Sequence, residues 1–249
     1  MIPKIIHYCW FGRNPLPPLA LKCIESWKKF LPDYEIKEWN EDNFDVNIIP
    51  YTQEAYKAKK YAFVSDYARF WVLYHHGGLY FDTDVEVIKP MDEIIAKGSF
   101  MGCERDGGVV DNENIAVAPG LGLGANPGLE LYNELLALYN QLSFIKENGS
   151  YNHKTIVAYT TEILQAHGLK NTAEIQKCAG LWIYPKEYFC PINYKTKQLV
   201  ITPKTYSIHH YTASWLSKRQ KAYIFLKKIL GEKAVKSIAH IIKNYGLAK

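Results

Sequence analysis

Apolar residues recur with a helical period in the first third of the chain and are followed by short extended runs. Between residues 54 and 76, six large apolar side chains share one face of a predicted helix: Phe63, Val64, Tyr67, Phe70, Trp71 and Tyr74. Gly77 ends this helix. The run 79–81 that follows predicts a short buried strand, and extended character continues over 85–88.

The first forty residues alternate between strand-like and helix-like patterns. They predict a strand over 4–10, a helix over 19–31 and a second strand over 34–39. Strand, helix and strand in this order open a parallel sheet, so we predict an α/β fold with a mostly parallel nucleotide-binding sheet flanked by helices. The same criteria predict two further helices and two extended segments, over 129–144, 155–167, 182–191 and 199–208.

The end of the chain differs from the rest in charge. Residues 217–249 hold nine Lys and Arg but a single acid, Glu232, whereas the whole chain has 30 basic and 25 acidic residues. Apolar side chains recur among these lysines at helical spacing, which predicts a basic amphipathic helical tail. We expect it to contact a membrane surface, with a merely solvated face as the alternative. The predicted division is a catalytic domain over 1–215 and a tail over 216–249.

Composition is that of a globular protein and adds little chemistry. Of 249 residues, 48% are hydrophobic and 22% are charged. The five Cys form no CxxC pair, which argues against a zinc knuckle or a disulfide framework and favours a reducing compartment. No leader pattern follows Met1, and no apolar run approaches the roughly 18 residues of a membrane span. We expect a cytoplasmic protein, peripheral at the inner face of the membrane.

The candidate chemistry lies where the central helix leads into the short strand. Asp66 and Arg69 stand one turn apart on an otherwise apolar helix, and Asp82 and Asp84 follow the strand at alternate positions. Alternate positions on a strand face the same way, so both carboxylates are expected to project together at the carboxyl end. Two adjacent carboxylates repel each other unless a cation intervenes, and Mg²⁺ or Mn²⁺ also binds phosphate oxygens. The pattern predicts a metal–diphosphate site.

These residues also have plainer interpretations. The pair Asp66 and Arg69 has the spacing of an ordinary helical ion pair, which contributes roughly 0.2–0.5 kcal/mol. Trp10 at a strand end is often simply part of a core, and His7 is interpreted as a hydrogen-bonded strand histidine. The glycine-rich segment 119–124 is predicted to be a loop around the site, because its spacing does not fit a dinucleotide-binding turn.

Three separated blocks, over 2–12, 62–84 and 209–215, resemble the retaining glycosyltransferases named for the DXD sugar-binding motif. This family includes yeast-type initiating mannosyltransferases and bacterial capsule enzymes, and the chain is more distantly similar to the glucosyltransferase domain of large clostridial toxins. The central block carries Ser-Asp-x-x-Arg and Gly-Gly-x-Tyr-x-Asp-x-Asp at fixed spacing, which is far more specific than a lone DxD triplet. The resemblance implies a GT-A fold.

The resemblance also implies roles for residues at matching positions. Catalytic roles fall on Asp66, Arg69 and Asp82. The nucleotide-sugar would contact Trp10, Asp66, Arg69, Tyr80, Asp82, Ser214 and Trp215. The metal ligands would be Asp82, Asp84 and His210, whereas His209 is disfavoured because neighbours on an extended segment point in opposite directions.

The implied reaction transfers a hexose, galactose or glucose, from a UDP-linked or other nucleoside-diphosphate sugar to a glycan hydroxyl. Retention of configuration, a Mn²⁺ or Mg²⁺ cofactor and a role in capsule or surface polysaccharide synthesis follow from the same resemblance. The expected partners are the nucleotide-sugar donor and a glycan or lipid-linked saccharide acceptor, and not nucleic acid. The alternatives are a phosphohydrolase using Asp82 and Asp84, and a non-catalytic glycan-binding module. The phosphohydrolase motif expects Thr or Val at the position of Glu86.

Overall fold

A mixed sheet forms the centre of the molecule. The computed structural model describes residues 1–108, 114–193, 196, 198–212 and 231. The strands are β1 (Ile5–Cys9), β2 (Glu35–Trp39), β3 (Gly78–Tyr80), β4 (Val85–Val87), β5 (Phe100–Arg105), β6 (Ala116–Val117), β7 (Leu123–Ala125), β8 (Gln176–Cys178), β9 (Leu181–Tyr184) and β10 (Ser207–His209).

The sheet follows the order β2-β1-β3-β7-β5-β9-β8, with β6 paired to β5. Strand β1 pairs in parallel with both β2 and β3, and β5 pairs in parallel with β9. Strand β7 is antiparallel to β3 and to β5, so β5 runs in the direction of β3. Five strands of the path, β2, β1, β3, β5 and β9, therefore share one direction. This confirms the predicted α/β class and its mostly parallel sheet.

Helices surround the sheet close to the predicted positions, with one difference. They are α1 (Pro18–Phe30), α2 (Pro50–Lys57), α3 (Tyr61–His76), α4 (Asp92–Ile95), α5 (Glu130–Asn140) and α6 (Ile156–Ala166). The helix predicted over 54–76 is two helices, because Lys59 adopts a left-handed backbone conformation with φ of 57°. The chain therefore turns after α2 and begins α3 afresh at Tyr61.

The core consists of two clusters of buried side chains that the sheet separates. Leu79 belongs to one cluster and Tyr80 to the other, and Phe100 and Met101 divide in the same way. Successive side chains of a strand point to opposite faces, so each face of the sheet carries its own cluster. Helices α3 and α5 contribute to the first cluster, whereas Trp27 of α1 contributes to the second.

A second, two-stranded sheet joins β4 to the end of the described chain. Strand β10 pairs antiparallel with β4, which places His209 opposite Val85. The extended segment predicted over 199–208 is a strand only at Ser207–His209, and the one predicted over 182–191 is the strand Leu181–Tyr184 followed by a 3-10 turn at Lys186–Tyr188. In both segments, the residues outside the short strand form their backbone hydrogen bonds within loops and turns, so they do not extend a sheet.

The predicted tail lies outside the described residues, so the division into a domain over 1–215 and a tail over 216–249 stays a prediction. Residues 1–211 form one compact unit. No helix within the described part of the chain has the length and apolar character required to cross a membrane.

Candidate active site

Arg69 is the centre of a buried charge network. Its Nη2 donates to Asp66 Oδ1 over 3.1 Å, and its Nη1 lies 3.2 Å from Asp82 Oδ1. Nη1 also donates to the Pro119 carbonyl at 3.2 Å, and Nε donates to the Ser65 carbonyl at 3.1 Å. Arg69 is only 4% exposed, so the interpretation as a solvated helical ion pair does not describe it. All three guanidinium nitrogens are engaged, which holds the side chain in one position.

Tyr80 supports the same network from the end of the strand. Its ring lies 4.9 Å from the guanidinium carbon of Arg69, and its hydroxyl donates to Asp82 Oδ1 over 3.2 Å. Tyr80 is the last residue of β3 and is fully buried. The strand thus ends with a side chain that fixes the orientation of the first carboxylate beyond it.

Asp82 and Asp84 follow the carboxyl end of β3, as predicted, in the segment that turns between β3 and β4. The amide of Val85 donates to the Asp82 carbonyl at 3.0 Å and closes this turn. Both carboxylates lie close together, and His209 reaches them from β10. Its Nε2 lies 3.1 Å from Asp84 Oδ1. One donor atom from each of Asp82, Asp84 and His209 lies within 4.8 Å of the others.

We name these three residues the carboxylate cluster. Two carboxylate oxygens and one imidazole nitrogen form a donor set that suits Mn²⁺ and Mg²⁺, since hard divalent cations prefer oxygen ligands and Mn²⁺ accepts imidazole. The three side chains are 28%, 15% and 14% exposed in chain order, so a ligand can reach them. The residues present therefore fit the predicted cation.

The structure corrects the choice of histidine. His210, predicted as the third ligand, turns away from the two aspartates, and its Nε2 lies 2.8 Å from Glu86 Oε2. Glu86 also pairs with Lys22 at 2.9 Å. The alternation of neighbouring side chains holds, but the register of β10 against β4 sends His209 inwards instead. Nothing in the local sequence distinguishes the two members of the pair.

Burial and neighbouring charges alter the ionisation of the site. Burial raises the pKa of Asp66 to about 7, against the opposing charge of Arg69. Burial also raises the pKa of Asp82, and Asp84 adds to it, whereas Arg69 and His209 act in the opposite direction. For His209, burial lowers the pKa, but the hydrogen bond and charge of Asp84 outweigh it and the net shift is upward. Repulsion between Asp82 and Asp84 is thus part of the balance at the site, and a bound cation would relieve it.

The glycine-rich segment 119–124 lies against the site, and Gly120 makes close contact there. A Cβ atom at Gly120 would lie 2.1 Å from Asp82 Oδ2 and 3.3 Å from Arg69 Nη1. Any side chain would displace the carboxylate. Sequence analysis predicted the loop but not this contact, because a glycine required for close approach has no signature of its own.

Two more residues influence the cluster without having been predicted. The Tyr211 ring packs against the His209 ring with centroids 4.2 Å apart, and its hydroxyl lies 2.7 Å from Cys190 Sγ. Glu104 of β5 adds a negative charge that raises the pKa of His209. Tyr211 lies within the block 209–215 but was given no role there, and Glu104 belongs to none of the three blocks, so the folded chain identifies both.

The remaining predicted nucleotide contacts are Trp10, Ser214 and Trp215. Trp10 directly follows β1, is half-buried, and donates its indole N–H to the Asn14 carbonyl at 2.6 Å. Because β1 and β3 are parallel neighbours, this indole lies at the same sheet edge as Asp82. Ser214 and Trp215 lie outside the described residues, and their contacts stay predictions.

His7 forms a separate network, which we name the His7 network. The indole of Trp39 donates to His7 Nδ1 over 3.0 Å, and His7 Nε2 donates to the Gly77 carbonyl over 2.9 Å. Burial lowers the pKa of His7 to about 4. A Cβ atom at Gly78 would lie 2.6 Å from the Ile5 carbonyl and 3.0 Å from His7 Nε2, and its φ of 100° also favours glycine. The network thus explains the second glycine of the pair, Gly78, structurally.

Residues 17–101 match the family model described as a glycosyltransferase sugar-binding region containing the DXD motif. This segment includes Asp66, Arg69, Asp82 and Asp84. The resemblance predicted from the sequence is thereby confirmed: the chain carries a DXD-type glycosyltransferase sugar-binding region.

The curated relatives are glycosyltransferases by name. Inositol phosphoceramide mannosyltransferase 1 of Schizosaccharomyces pombe is 28% identical over 111 residues, which are 40% of this chain and 33% of the relative. An uncharacterized glycosyltransferase of Acanthamoeba polyphaga mimivirus is 28% identical over 158 residues, 61% of this chain and 59% of the relative. The chain thus matches between about one third and three fifths of the length of these relatives.

Solved structures with a similar arrangement are also glycosyltransferases. The PaToxG glycosyltransferase has a TM-score of 0.48 at 19% identity, covering 66% of this chain and 70% of its own. The galactosyltransferase LgtC, solved with donor and acceptor sugar analogs, has a TM-score of 0.42 at 13% identity, covering 84% and 88%. At these scores, the fold assignment depends on the strand order and directions described above.

Proposed function

We propose that the chain is a metal-dependent glycosyltransferase that moves a hexose from a nucleoside-diphosphate sugar to a hydroxyl of a glycan or lipid-linked saccharide. The observation that supports this most strongly is the convergence of Asp82, Asp84 and His209 beside the buried Arg69. All but the histidine lie in the segment that matches the sugar-binding region.

The roles of the residues follow from their exposure. Asp82 and Asp84, with His209, would hold Mn²⁺ or Mg²⁺, which when bound stabilises the negative charge that develops on the leaving diphosphate. Arg69 is buried and fully engaged, so we assign it to positioning Asp66 and Asp82 rather than to direct contact with the diphosphate. Asp66 is poised to hydrogen-bond the donor sugar, and Trp10 offers a ring on which a base, such as the uracil of a UDP-sugar, can stack.

The donor sugar is a hexose, and its identity requires a direct test. Galactose or glucose is the proposal from the sequence, whereas two of the relatives are named as mannosyltransferases and a third as a mannosyl phosphorylinositol ceramide synthase. A panel of UDP- and GDP-linked hexoses with Mn²⁺, scored by thermal shift and then by transfer, decides among them, because a bound ligand raises the unfolding temperature.

Finer proposals come from the resemblance and, for the membrane contact and the compartment, from the composition of the chain. Transfer would retain the anomeric configuration, which NMR of the first-formed product tests directly. The role would be in capsule or surface polysaccharide synthesis in the cytoplasm, with the basic segment 217–249 contacting the inner membrane surface. Flotation with anionic vesicles of the full chain and of a 1–215 truncation tests that contact, and equal binding by both would refute it.

The decisive test of the activity is Asp84→Asn, which keeps the shape of the side chain and removes its charge. We expect transfer to fall at least about 100-fold and the remaining activity to be insensitive to chelation by EDTA. The matched control is Asp33→Asn, since Asp33 is an exposed acid paired with Lys4. Release of phosphate from a simple ester without sugar transfer would instead favour the phosphohydrolase alternative.

A further inference from the structure

The structure exposes one continuous apolar run outside the site. Leu199, Val200 and Ile201 are 47%, 53% and 54% exposed. The other exposed large hydrophobic residues in the described part of the chain stand singly: Met1, Leu21, Ile48, Ile145 and Ile175. Single exposed aliphatics are normal on protein surfaces, whereas contiguous ones indicate a contact surface.

The run lies on one arm of a short hairpin. Ile192 and Leu199 form an antiparallel bridge, the Asn193 amide donates to the Gln198 carbonyl at 2.9 Å, and the Val200 amide donates to the Pro191 carbonyl at 3.2 Å. These bonds hold the backbone in place. The three side chains belong to neither core cluster, so folding does not bury them.

The charge around this run favours an anionic partner. From Tyr188 to Tyr211 the sequence contains three Lys, at positions 195, 197 and 204, and no acid. Within the described residues, Lys204 pairs with Glu187 at 2.8 Å, yet its side chain remains 60% exposed. A two-fold contact between copies of this chain would bring the same surface against itself, and therefore like charges against like. An anionic lipid surface supplies both the apolar layer and the opposite charge.

We propose that Leu199, Val200 and Ile201 insert into the interface of an anionic membrane. This contact differs from the one proposed for residues 217–249, since it belongs to the domain that holds the site. Pro191 of the hairpin follows Cys190, whose Sγ lies 2.7 Å from the Tyr211 hydroxyl. The Tyr211 ring in turn packs on the His209 ring. These contacts connect the run to the carboxylate cluster, which would suit a lipid-linked acceptor, a consequence that rests on the proposed function.

The first test compares vesicle partitioning of the full chain with that of the triple variant Leu199→Ser, Val200→Ser and Ile201→Ser. Vesicles contain phosphatidylcholine alone or with phosphatidylglycerol. We expect the triple variant to bind the anionic vesicles at least about tenfold more weakly, because three apolar contacts are lost. The control is Ile48→Ser, Ile145→Ser and Ile175→Ser, which replaces isolated aliphatics of similar exposure and should bind as the unaltered chain does.

A second measurement does not depend on the stability of the triple variant. The five native cysteines are buried, so a polarity-sensitive fluorophore can be attached selectively at Val200→Cys. Its emission should shift to the blue on addition of anionic vesicles, whereas the same label at Ile145→Cys should not respond. Absence of a shift at position 200, or unchanged vesicle binding by a folded triple variant, would overturn the proposal.

Two further outcomes separate lipid insertion from self-association and from catalysis. If the triple variant turns a dimer into a monomer without altering vesicle binding, the run is a self-association surface and the proposal fails. If the triple variant loses vesicle binding but still transfers sugar to a soluble saccharide, the lipid contact is supported independently of the activity. Failure of transfer by the unaltered chain would refute the proposed function and leave the partitioning result intact.

Discussion

Strand β3 is only three residues long, yet a different kind of polar cluster lies at each end of it. At its amino end, the His7 network pairs each hydrogen-bond donor with an acceptor and is neutral at neutral pH. At its carboxyl end, the carboxylate cluster holds two acids and a histidine beside one arginine. The first is complete within the folded chain, whereas the second brings two carboxylates and a histidine together as donor atoms that a cation can bind.

The same force acts on both clusters and produces opposite results. Burial disfavours charge on His7 and on His209 alike. His7 has neutral hydrogen-bond partners, and Lys37 and His76 add to the effect of burial, so its pKa falls, whereas His209 faces Asp84 and its pKa rises. The difference teaches that the partners of a buried histidine, and not its burial alone, separate a structural group from a candidate ligand.

Replacing Arg69 should have the largest effect among the changes that affect the carboxylate cluster and not the His7 network. Arg69→Met leaves Asp66 and Asp82 without their buried partner, so we expect transfer to fall roughly 10³-fold and the free energy of unfolding to fall by about 3 kcal/mol. Urea denaturation and initial rates measure the two effects. Arg13→Met is the control, because Arg13 is exposed and pairs with Asp42, and exposed ion pairs contribute little to stability. Equal effects of both substitutions would contradict the central role of Arg69.

Replacing each of the two neighbouring histidines by alanine tests which of them belongs to the carboxylate cluster. His209→Ala should weaken Mn²⁺ binding and metal-dependent transfer by at least about 100-fold, since it removes a donor atom from the set. His210→Ala removes only a contact with Glu86 and should cost less than about tenfold. Mn²⁺ titration followed by electron paramagnetic resonance measures the affinity. A larger effect at His210 would restore the assignment made from the sequence.

The pH dependence of stability should have opposite signs at the two ends of β3. The pKa of His7 in the folded chain is about 4, below the unfolded value near 6.5, so the unfolded state binds more protons between these values. This contribution, up to about 3 kcal/mol, is present above pH 6.5 and is lost as the pH falls towards 4. Asp66 has a raised pKa of about 7, so its contribution is present at low pH and is lost as the pH rises towards 7.

Denaturation of two variants across this pH range separates these contributions. His7→Gln should remove the component that rises with pH, and Asp66→Asn should remove the component that falls. The metal is omitted, because a bound cation would alter the ionisation of the neighbouring acids. Identical pH profiles for the unaltered chain and His7→Gln would show that the histidine is not held neutral by burial.

The smallest expected effect comes from adding one methyl group beside the site. Gly120→Ala places a Cβ atom against Asp82 Oδ2, so we expect about a tenfold loss of transfer with little change in fold. Gly98→Ala is the control, because a Cβ there meets no atom within 4 Å, although its φ of 107° adds backbone strain. Circular dichroism confirms folding, and initial rates with saturating donor measure the loss. Unchanged activity of Gly120→Ala would mean that Asp82 tolerates displacement.

The sequence pattern predicted most of the helices and strands, because the apolar periodicity and the turn residues that define them act over short stretches of the chain. The apolar periodicity predicted α3, the alternating runs predicted β1 and β2, and the double glycine marked the start of β3. The strands β5 and β7 escaped prediction, since β7 is a three-residue strand in a glycine-rich segment whose composition is typical of a loop. Its backbone pairing with β3 and β5, and not its side chains, makes it a strand.

The sequence by itself determined which chemistry the site contains: a buried acid and arginine one turn apart on a helix, and two aspartates directly after a strand. Only the tertiary structure decided which side chains join them, because His209, Gly120 and Glu104 come from segments distant in sequence. The register of β10 against β4 is a matter of backbone pairing between residues about 120 positions apart. No local preference distinguishes His209 from His210, so the choice of the third candidate ligand belongs to the fold.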